Sequence, residues 1–264
     1  MKNEFILAYP KQSLLDALRS DPSIQCLNDE RCEIFEYRGK ETNGFKAFAE
    51  VFDGMTRDAY FGRREELEKS LTEIHPIPYI VFEQPDHSVY QYQRGKETEE
   101  GRLAGDDSVG VGGHVEQKDA VSGVQFVPYL HAFAAELDNW STYGQDLRAM
   151  ITAILREAHE EVDVGVKPVN KLINLDVGFD FRFVGAMYDE TNEVGHTHLA
   201  LVFVARIPSA TEVRSKEKVI EDRGFSLPEQ LIDRNNKGLV KLENWSRVVL
   251  ELLVRQRARL ANNA

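Results

Sequence analysis

"GVGGHVEQ" (residues 110–117) and "REAHEEV" (residues 156–162) are the two stretches on which the reading of this chain turns. The first reads as a strand running into a turn that needs two adjacent glycines, Gly112 and Gly113. The second packs Glu157, Glu160 and Glu161 into five positions. It closes the clearest helical pattern in the chain, from about Asp146 to Val162. Leu147, Met150, Ile151, Ile154, Leu155, Ala158 and Val162 recur there at spacings of three and four and form one apolar stripe. At 100° per residue the three glutamates share one flank, within roughly 100° of arc. Like charges at these spacings cost a few tenths of a kcal/mol per pair. They also lie toward the helix C-terminus, where the macrodipole disfavours anions. A cation among them offsets both penalties, and oxygen donors suit Mg2+ or Mn2+.

Upstream, "IPYIVFE" (77–83) and "SVYQYQR" (88–94) are rich in β-branched and aromatic residues and flank the turn signal "QPDH". They predict a hairpin. The polar "GKETEEGRLAGDD" (95–107) predicts a loop, and "SVGVGGHV" a third strand. Residues 117–146 read as irregular, with a short helix at "YLHAFAAEL". Downstream, "VGFDFRFVGAMY" (177–188) and "HTHLALVFVARI" (196–207) predict two more strands joined by the turn "DETNEVG". A short helix follows at "SLPEQL", with Ser226 as cap and Pro228 in its first turn. A last helix runs from about Leu242, with Trp245, Val248, Val249, Leu252 and Leu253 on one side. In residues 1–75 "REELEKSLTEIH" reads as helical, and the remainder has no clear pattern. Interleaved strands and helices predict an α/β layered domain.

Composition narrows the function. The 264 residues carry 32 Lys and Arg against 44 Asp and Glu, a net charge of −12. Duplex binding wants a basic face, so general DNA binding is not expected. An acidic protein still binds a small polyphosphate when a divalent cation bridges the two. Cys26 and Cys32 are the only cysteines, which fits a reducing compartment. The opening "MKNEFILAYP" has a five-residue apolar run, too short for a signal peptide. No run approaches the roughly 20 apolar residues of a membrane span. A cytoplasmic protein is expected.

Together the two opening stretches resemble the Nudix hydrolases, whose signature is G-x5-E-x7-R-E-U-x-E-E-x-G-U with U apolar. "GGHVE" matches its start, with Gly113 as the signature glycine. "REAHEEVDV" matches its close from Arg156 to Val164. The resemblance covers about residues 76–255 and implies a Nudix-like α/β/α sandwich with a mixed sheet. Residues 76–264 would form it, and residues 1–75 would be an N-terminal extension. Three departures stand out. Gly113 and Arg156 are 43 residues apart where the signature has 14, so 29 extra residues lie within the box. Residues 117–146 then read as a loop grown between strand and helix. The middle glutamate, counted eight residues back from Arg156, falls on Arg148, which leaves Glu116 or Asp146 as candidates for its role. The late glycine is Asp163.

The resemblance implies a pyrophosphohydrolase that cleaves a nucleoside diphosphate linked to another moiety, with Mg2+ or Mn2+ as cofactor. By position Glu157, Glu160 and Glu161 hold metal, and one of them or a loop carboxylate takes the proton of the attacking water. Arg156 braces the loop or the glutamates. The Gly113 carbonyl completes the metal shell, and Arg94 meets phosphate. A small nucleotide-type substrate is expected, with no membrane partner, and a homodimer is allowed. Two other readings compete. A degenerate box fits a catalytically impaired module that senses nucleotide or binds protein. "HEEVD" (159–163) also comes one letter short of the zinc-protease pattern H-E-x-x-H, the missing ligand being Asp163. His114, His196 and His198 offer imidazoles, with His196 and His198 sharing a strand face, but strand histidines are more often packed or surface residues than ligands.

Overall fold

A computed structural model describes residues 4–29, 32–39, 44–53, 55–95, 105–122, 143–166, 180–191, 195–209, 211–216 and 221–263. The chain begins with β1 (Phe5–Pro10), α1 (Lys11–Ser20), β2 (Ile24–Asp29), β3 (Cys32–Tyr37), α2 (Gly44–Phe52), β4 (Tyr60–Arg63) and α3 (Arg64–Leu67). It continues with β5 (Glu73–Glu83), β6 (Val89–Gln93), β7 (Asp107–Ser108), β8 (Gly110–Val111), α4 (Gln117–Ser122), α5 (Gln145–Glu161), β9 (Val162–Val166) and β10 (Asp180–Asp189). The last elements are β11 (His198–Arg206), β12 (Thr211–Ser215), β13 (Glu221–Ser226), α6 (Pro228–Asn236) and α7 (Asn244–Asn263). The architecture is α/β, a mixed sheet with flanking helices, as expected.

The contacts divide the chain into two units. The first comprises Met1–Tyr79, Gly112–Ala158 and Asp180–Phe203. The first 75 residues are built into it. β3 runs antiparallel to β10, with Phe35 opposite Ala186, and β2 extends the sheet beyond β3. β1 pairs with β4 along one edge and continues onto β5 through Tyr9 and Ile74. α2 covers this sheet with an aromatic face. Phe48 stands 5.3 Å from both Phe183 and Phe203, centroid to centroid, and Phe45 stands 5.1 Å from Phe181. Aromatic pairs at such distances add about 0.5–1.5 kcal/mol each beyond their buried area. No short-range periodicity in residues 1–75 signals the pairing of β3 with β10 or of α2 with Phe181, Phe183 and Phe203, because these partners lie over a hundred positions downstream.

The second unit comprises Ile80–Val111, His159–Phe179 and Val204–Ala264. Its hairpin is the one expected, with Glu83 of β5 opposite Val89 of β6. The turn between them puts His87 at φ 68°, where the short Asp86 side chain accepts from the Ser88 amide and hydroxyl. β13 runs beside β6, and β9 and β12 form a separate two-stranded sheet. In α7, Val248, Val249, Leu252 and Leu253 are buried as their spacing predicts.

Three expectations change. "REELEKSLTEIH" is helical only over Arg64–Leu67, and Glu73–His75 open β5 instead. Pro76 pushes the residue before it out of the helical region, and pairing with β1 captures the segment as strand. Ser226 ends β13 opposite Val89 and leaves the N-cap of α6 to Leu227, although Pro228 does take the first helical position. "SVGVGGHV" breaks into the two short strands β7 and β8 and leaves the strand path at Gly112. The helix expected at "YLHAFAAEL", with Trp140, lies outside the described residues.

Gly112 must pass close to β5: a Cβ on it would sit 1.7 Å from the Pro78 carbonyl oxygen. Gly112→Ala therefore forces backbone apart, and overpacking of this kind costs about 1–3 kcal/mol. The expected result is a Tm lower by about 3–10 °C in a thermal melt.

Candidate active site around the glycine turn and helix α5

α5 spans the stretch its apolar stripe predicts, and Leu147, Met150, Ile151, Ile154, Leu155 and Ala158 are all buried. That stripe fixes the rotation of the helix, which in turn aims Arg156 and Glu157 at the turn after β8. Arg156 is 10% exposed and its guanidinium is fully engaged. Nε and Nη2 donate to the two carboxylate oxygens of Asp119 at 2.8 and 3.0 Å. Nη2 also donates to the His114 carbonyl at 2.9 Å, and Nη1 donates to Glu157 Oε1 at 2.6 Å. Glu157 is itself 6% exposed. A Cβ on Gly113 would lie 2.6 Å from Glu157 Oε1. Only glycine lets the turn come this near the carboxylate. The two stretches that opened the sequence reading thus meet through one arginine and one missing side chain.

Asp119 is the residue the sequence reading missed. It is 2% exposed, and besides Arg156 it accepts from the Glu116 amide at 2.9 Å, closing the first turn of α4. Counting back from Arg156 pointed to Arg148. Counting forward from Gly113 lands on Asp119, which follows it by six positions, the spacing between the glycine and the glutamate of the signature. The extra residues come after that position, not before it. The earlier candidates have other neighbours. Asp146 accepts from Tyr9 at 3.3 Å, and Glu116 pairs with Lys118 at 2.9 Å while its nearest approach to Arg156 is 4.0 Å.

Glu160 is exposed and Glu161 half-buried on the last turn of α5. Arg94 belongs to the second unit, where its Nε donates to the buried Glu243 at 3.0 Å. Glu243 also accepts from Ser108 and Ser246, at 2.6 and 3.0 Å. Among the described residues, the group of three His, Cys, Asp or Glu ligand atoms lying within 4.8 Å of one another is not the glutamate trio but His75, His114 and His198. His114 Nε2 and His198 Nε2 are 3.1 Å apart, and the three rings stand 5.2–5.9 Å from one another. His196 is not part of it. It sits in a turn of 3-10 helix before β11, with Nε2 3.0 Å from the Glu190 carbonyl, so it does not share a strand face with His198.

Burial holds the His75 and His114 imidazoles neutral. It pushes His75 down to about 3, helped by His198 and Arg64, and drives His114 well below its ordinary range. An unfolded histidine titrates near about 6.5.

No protein-family model matches the chain. The chain is similar to protein YmaB of Bacillus subtilis (strain 168), with 26% identity over 192 residues, 72% of this chain and 76% of that protein. Among solved structures it is similar to Tm1382, a candidate Nudix hydrolase, with 21% identity, a TM-score of 0.57, and 96% of this chain and 100% of that one covered. A Nudix hydrolase from Alicyclobacillus acidocaldarius aligns with 15% identity and a TM-score of 0.45, over 67% of this chain and 90% of that one. The fold is therefore Nudix-like.

Two outcomes follow from the geometry. Removing one partner of a buried ion pair leaves the other charge uncompensated, at about 3–5 kcal/mol. Asp119→Ala is expected to cost that much in urea unfolding, and a double-mutant cycle with Arg156→Met to show strong coupling. Second, below a pH of about 6.5 the unfolded chain binds protons that folded His75 and His114 refuse. In chelator, stability should fall as pH drops from about 6.5 toward 3, with a shallower fall between pH 7 and 5 in His114→Gln.

Proposed function

We propose that this chain is a divalent-metal-dependent pyrophosphohydrolase acting on a nucleoside diphosphate linked to another moiety. One observation carries the reading: the backbone at Gly113 lies against the Glu157 carboxylate while Arg156 ties Asp119, Glu157 and the His114 carbonyl together. An arginine whose three nitrogens all donate to the turn, α4 and the helix is a brace. It sets a carboxylate and a backbone carbonyl side by side, and such oxygens are the donors a hard cation takes. Helical spacing adds Glu160 and Glu161 on the same flank of α5.

In this reading Glu157, Glu160, Glu161 and the Gly113 carbonyl hold Mg2+ or Mn2+. When bound, the ion supplies charge for the phosphates and lowers the pKa of water. Glu157 is held in one orientation by Arg156. One of Glu160 and Glu161, which lie nearer solvent, receives the proton of the attacking water and passes it on. Asp119 is a positioning residue acting through Arg156. Arg94, engaged by Glu243, is a phosphate contact only if substrate outcompetes that partner. The fold supports a small nucleotide-type substrate, and no described helix is long and apolar enough to cross a membrane.

The test is release of phosphate esters from a panel of nucleoside diphosphate derivatives, with Mg2+, with Mn2+ and with chelator. Cleavage of at least one member, abolished by chelator, is expected. Glu160→Gln with Glu161→Gln should lower kcat about 10³-fold while Tm stays within about 2 °C, because neither side chain is in the core. Wild-type turnover in that variant would remove the assignment. Nucleotide-dependent thermal stabilisation without any cleavage would favour a nucleotide-sensing module instead.

A further inference from the structure

We infer that His75, His114 and His198 form a second metal site, one for a transition-metal ion of the zinc type, distinct from the carboxylate site. Three separate parts of the chain supply the ligands: β5, the turn after Gly113, and the first residue of β11. All three lie within the first unit. The donors are nitrogens, which suit Zn2+, Fe2+, Co2+ or Ni2+ and are poor partners for Mg2+.

The geometry is close to what one ion requires. With Zn–N of about 2.0–2.1 Å and a tetrahedral arrangement, bound nitrogens stand about 3.3 Å apart. His114 and His198 already face each other through Nε2 at 3.1 Å, and all three ligand atoms lie within 4.8 Å of one another. Closing His75 onto the other two asks for a movement of up to about 1.5 Å. His198 is held for this role by its other nitrogen, since Nδ1 lies 3.1 Å from Thr197 Oγ1. A second partner on the far nitrogen is the usual support of a ligating imidazole.

His75 makes the strongest case. It is 0% exposed, and its ring nitrogens make no hydrogen bond of ordinary geometry among the described residues, the Leu67 backbone being the polar group near enough to favour its protonated form. An imidazole buried in this way costs about 1–3 kcal/mol, and native interiors seldom keep such a group without a reason. An apolar side chain of similar volume avoids that cost. A bound ion gives the lone pair a partner, and the neutral state that burial enforces is the ligating one.

The surrounding charges admit a cation. Arg64 and Arg156 oppose it. Arg64 is offset by Glu68 and Glu4, at 2.7 and 3.1 Å, and Arg156 by Asp119 and Glu157. Glu68 Oε1 is also 4.0 Å from His114 Nε2, on the partly exposed side, and is the natural fourth ligand or the neighbour of a bound water. An ion here would anchor His114, whose carbonyl receives Arg156 and whose neighbour Gly113 faces Glu157. It would therefore stiffen the glycine turn itself.

The test uses Co2+ as a probe. The full chain is stripped with chelator, then titrated with Co2+ while the visible bands of tetrahedral cobalt are followed, and the bands are chased with Zn2+. One equivalent per chain is expected, with Zn2+ raising Tm. Removing an outer-shell support alone costs about 10–100-fold in metal affinity, so His114→Ala, which loses a ligand, should weaken binding at least 100-fold. Glu160→Gln with Glu161→Gln should leave it unchanged. His198→Gln serves as a second ligand variant should His114→Ala fail to fold. Absence of the cobalt bands in the wild-type chain, or the same bands and stoichiometry in a folded ligand variant, overturns the site.

Discussion

The guanidinium of Arg156 is the constraint on which the site depends. A buried charge is tolerable only when its partners are close and well aligned, and here every one of its nitrogens donates within 3.0 Å. Its partners come from both sides of the junction: Asp119 and the His114 carbonyl from the turn and α4, Glu157 from α5. None of them can shift without leaving a desolvated group unpaired. The arginine therefore converts two segments separated by more than thirty residues into one rigid corner. The carboxylate it holds is the one lying against the glycine turn.

That corner needs the sheet to come close, and glycine provides the space. Gly112 passes the Pro78 carbonyl at a distance no Cβ permits, and Gly113 does the same beside Glu157. The two adjacent glycines thus have separate partners, one on β5 and one on α5. β5 is in turn pinned by β1, so residues from the first ten positions help to set the height at which the turn sits. The aromatic face of α2 against Phe183 and Phe203 fixes β10 and β11 in the same unit. The early residues act as framework for the later ones.

Two chemistries share this neighbourhood. On the one hand stands the Glu157 carboxylate beside Gly113, an oxygen donor that suits a hard ion. On the other stand the nitrogens of His75, His114 and His198. Residues 113 and 114 are consecutive and face different donor sets. Hard and borderline ions sort between such sets by donor type rather than by raw affinity, so the two proposed sites would take different ions.

The sequence alone determined the local features: the α5 stripe, the hairpin at 77–94, and the need for glycine at 112 and 113. Each is set by a period or a backbone requirement within one segment, and such rules act over a few residues. Asp119 was half legible. Its distance from Gly113 was correct, but the inserted residues displaced its distance from Arg156, and only the ion pair decided between the two counts. Pairing decided the rest. Glu73–His75 became strand against helical propensity because β1 was there to receive them. His75, His114 and His198 carry no common spacing, since they lie on different elements and meet only after β5, the glycine turn and β11 are in place. Proximity across a sheet depends on register and crossover, and no local pattern encodes either one.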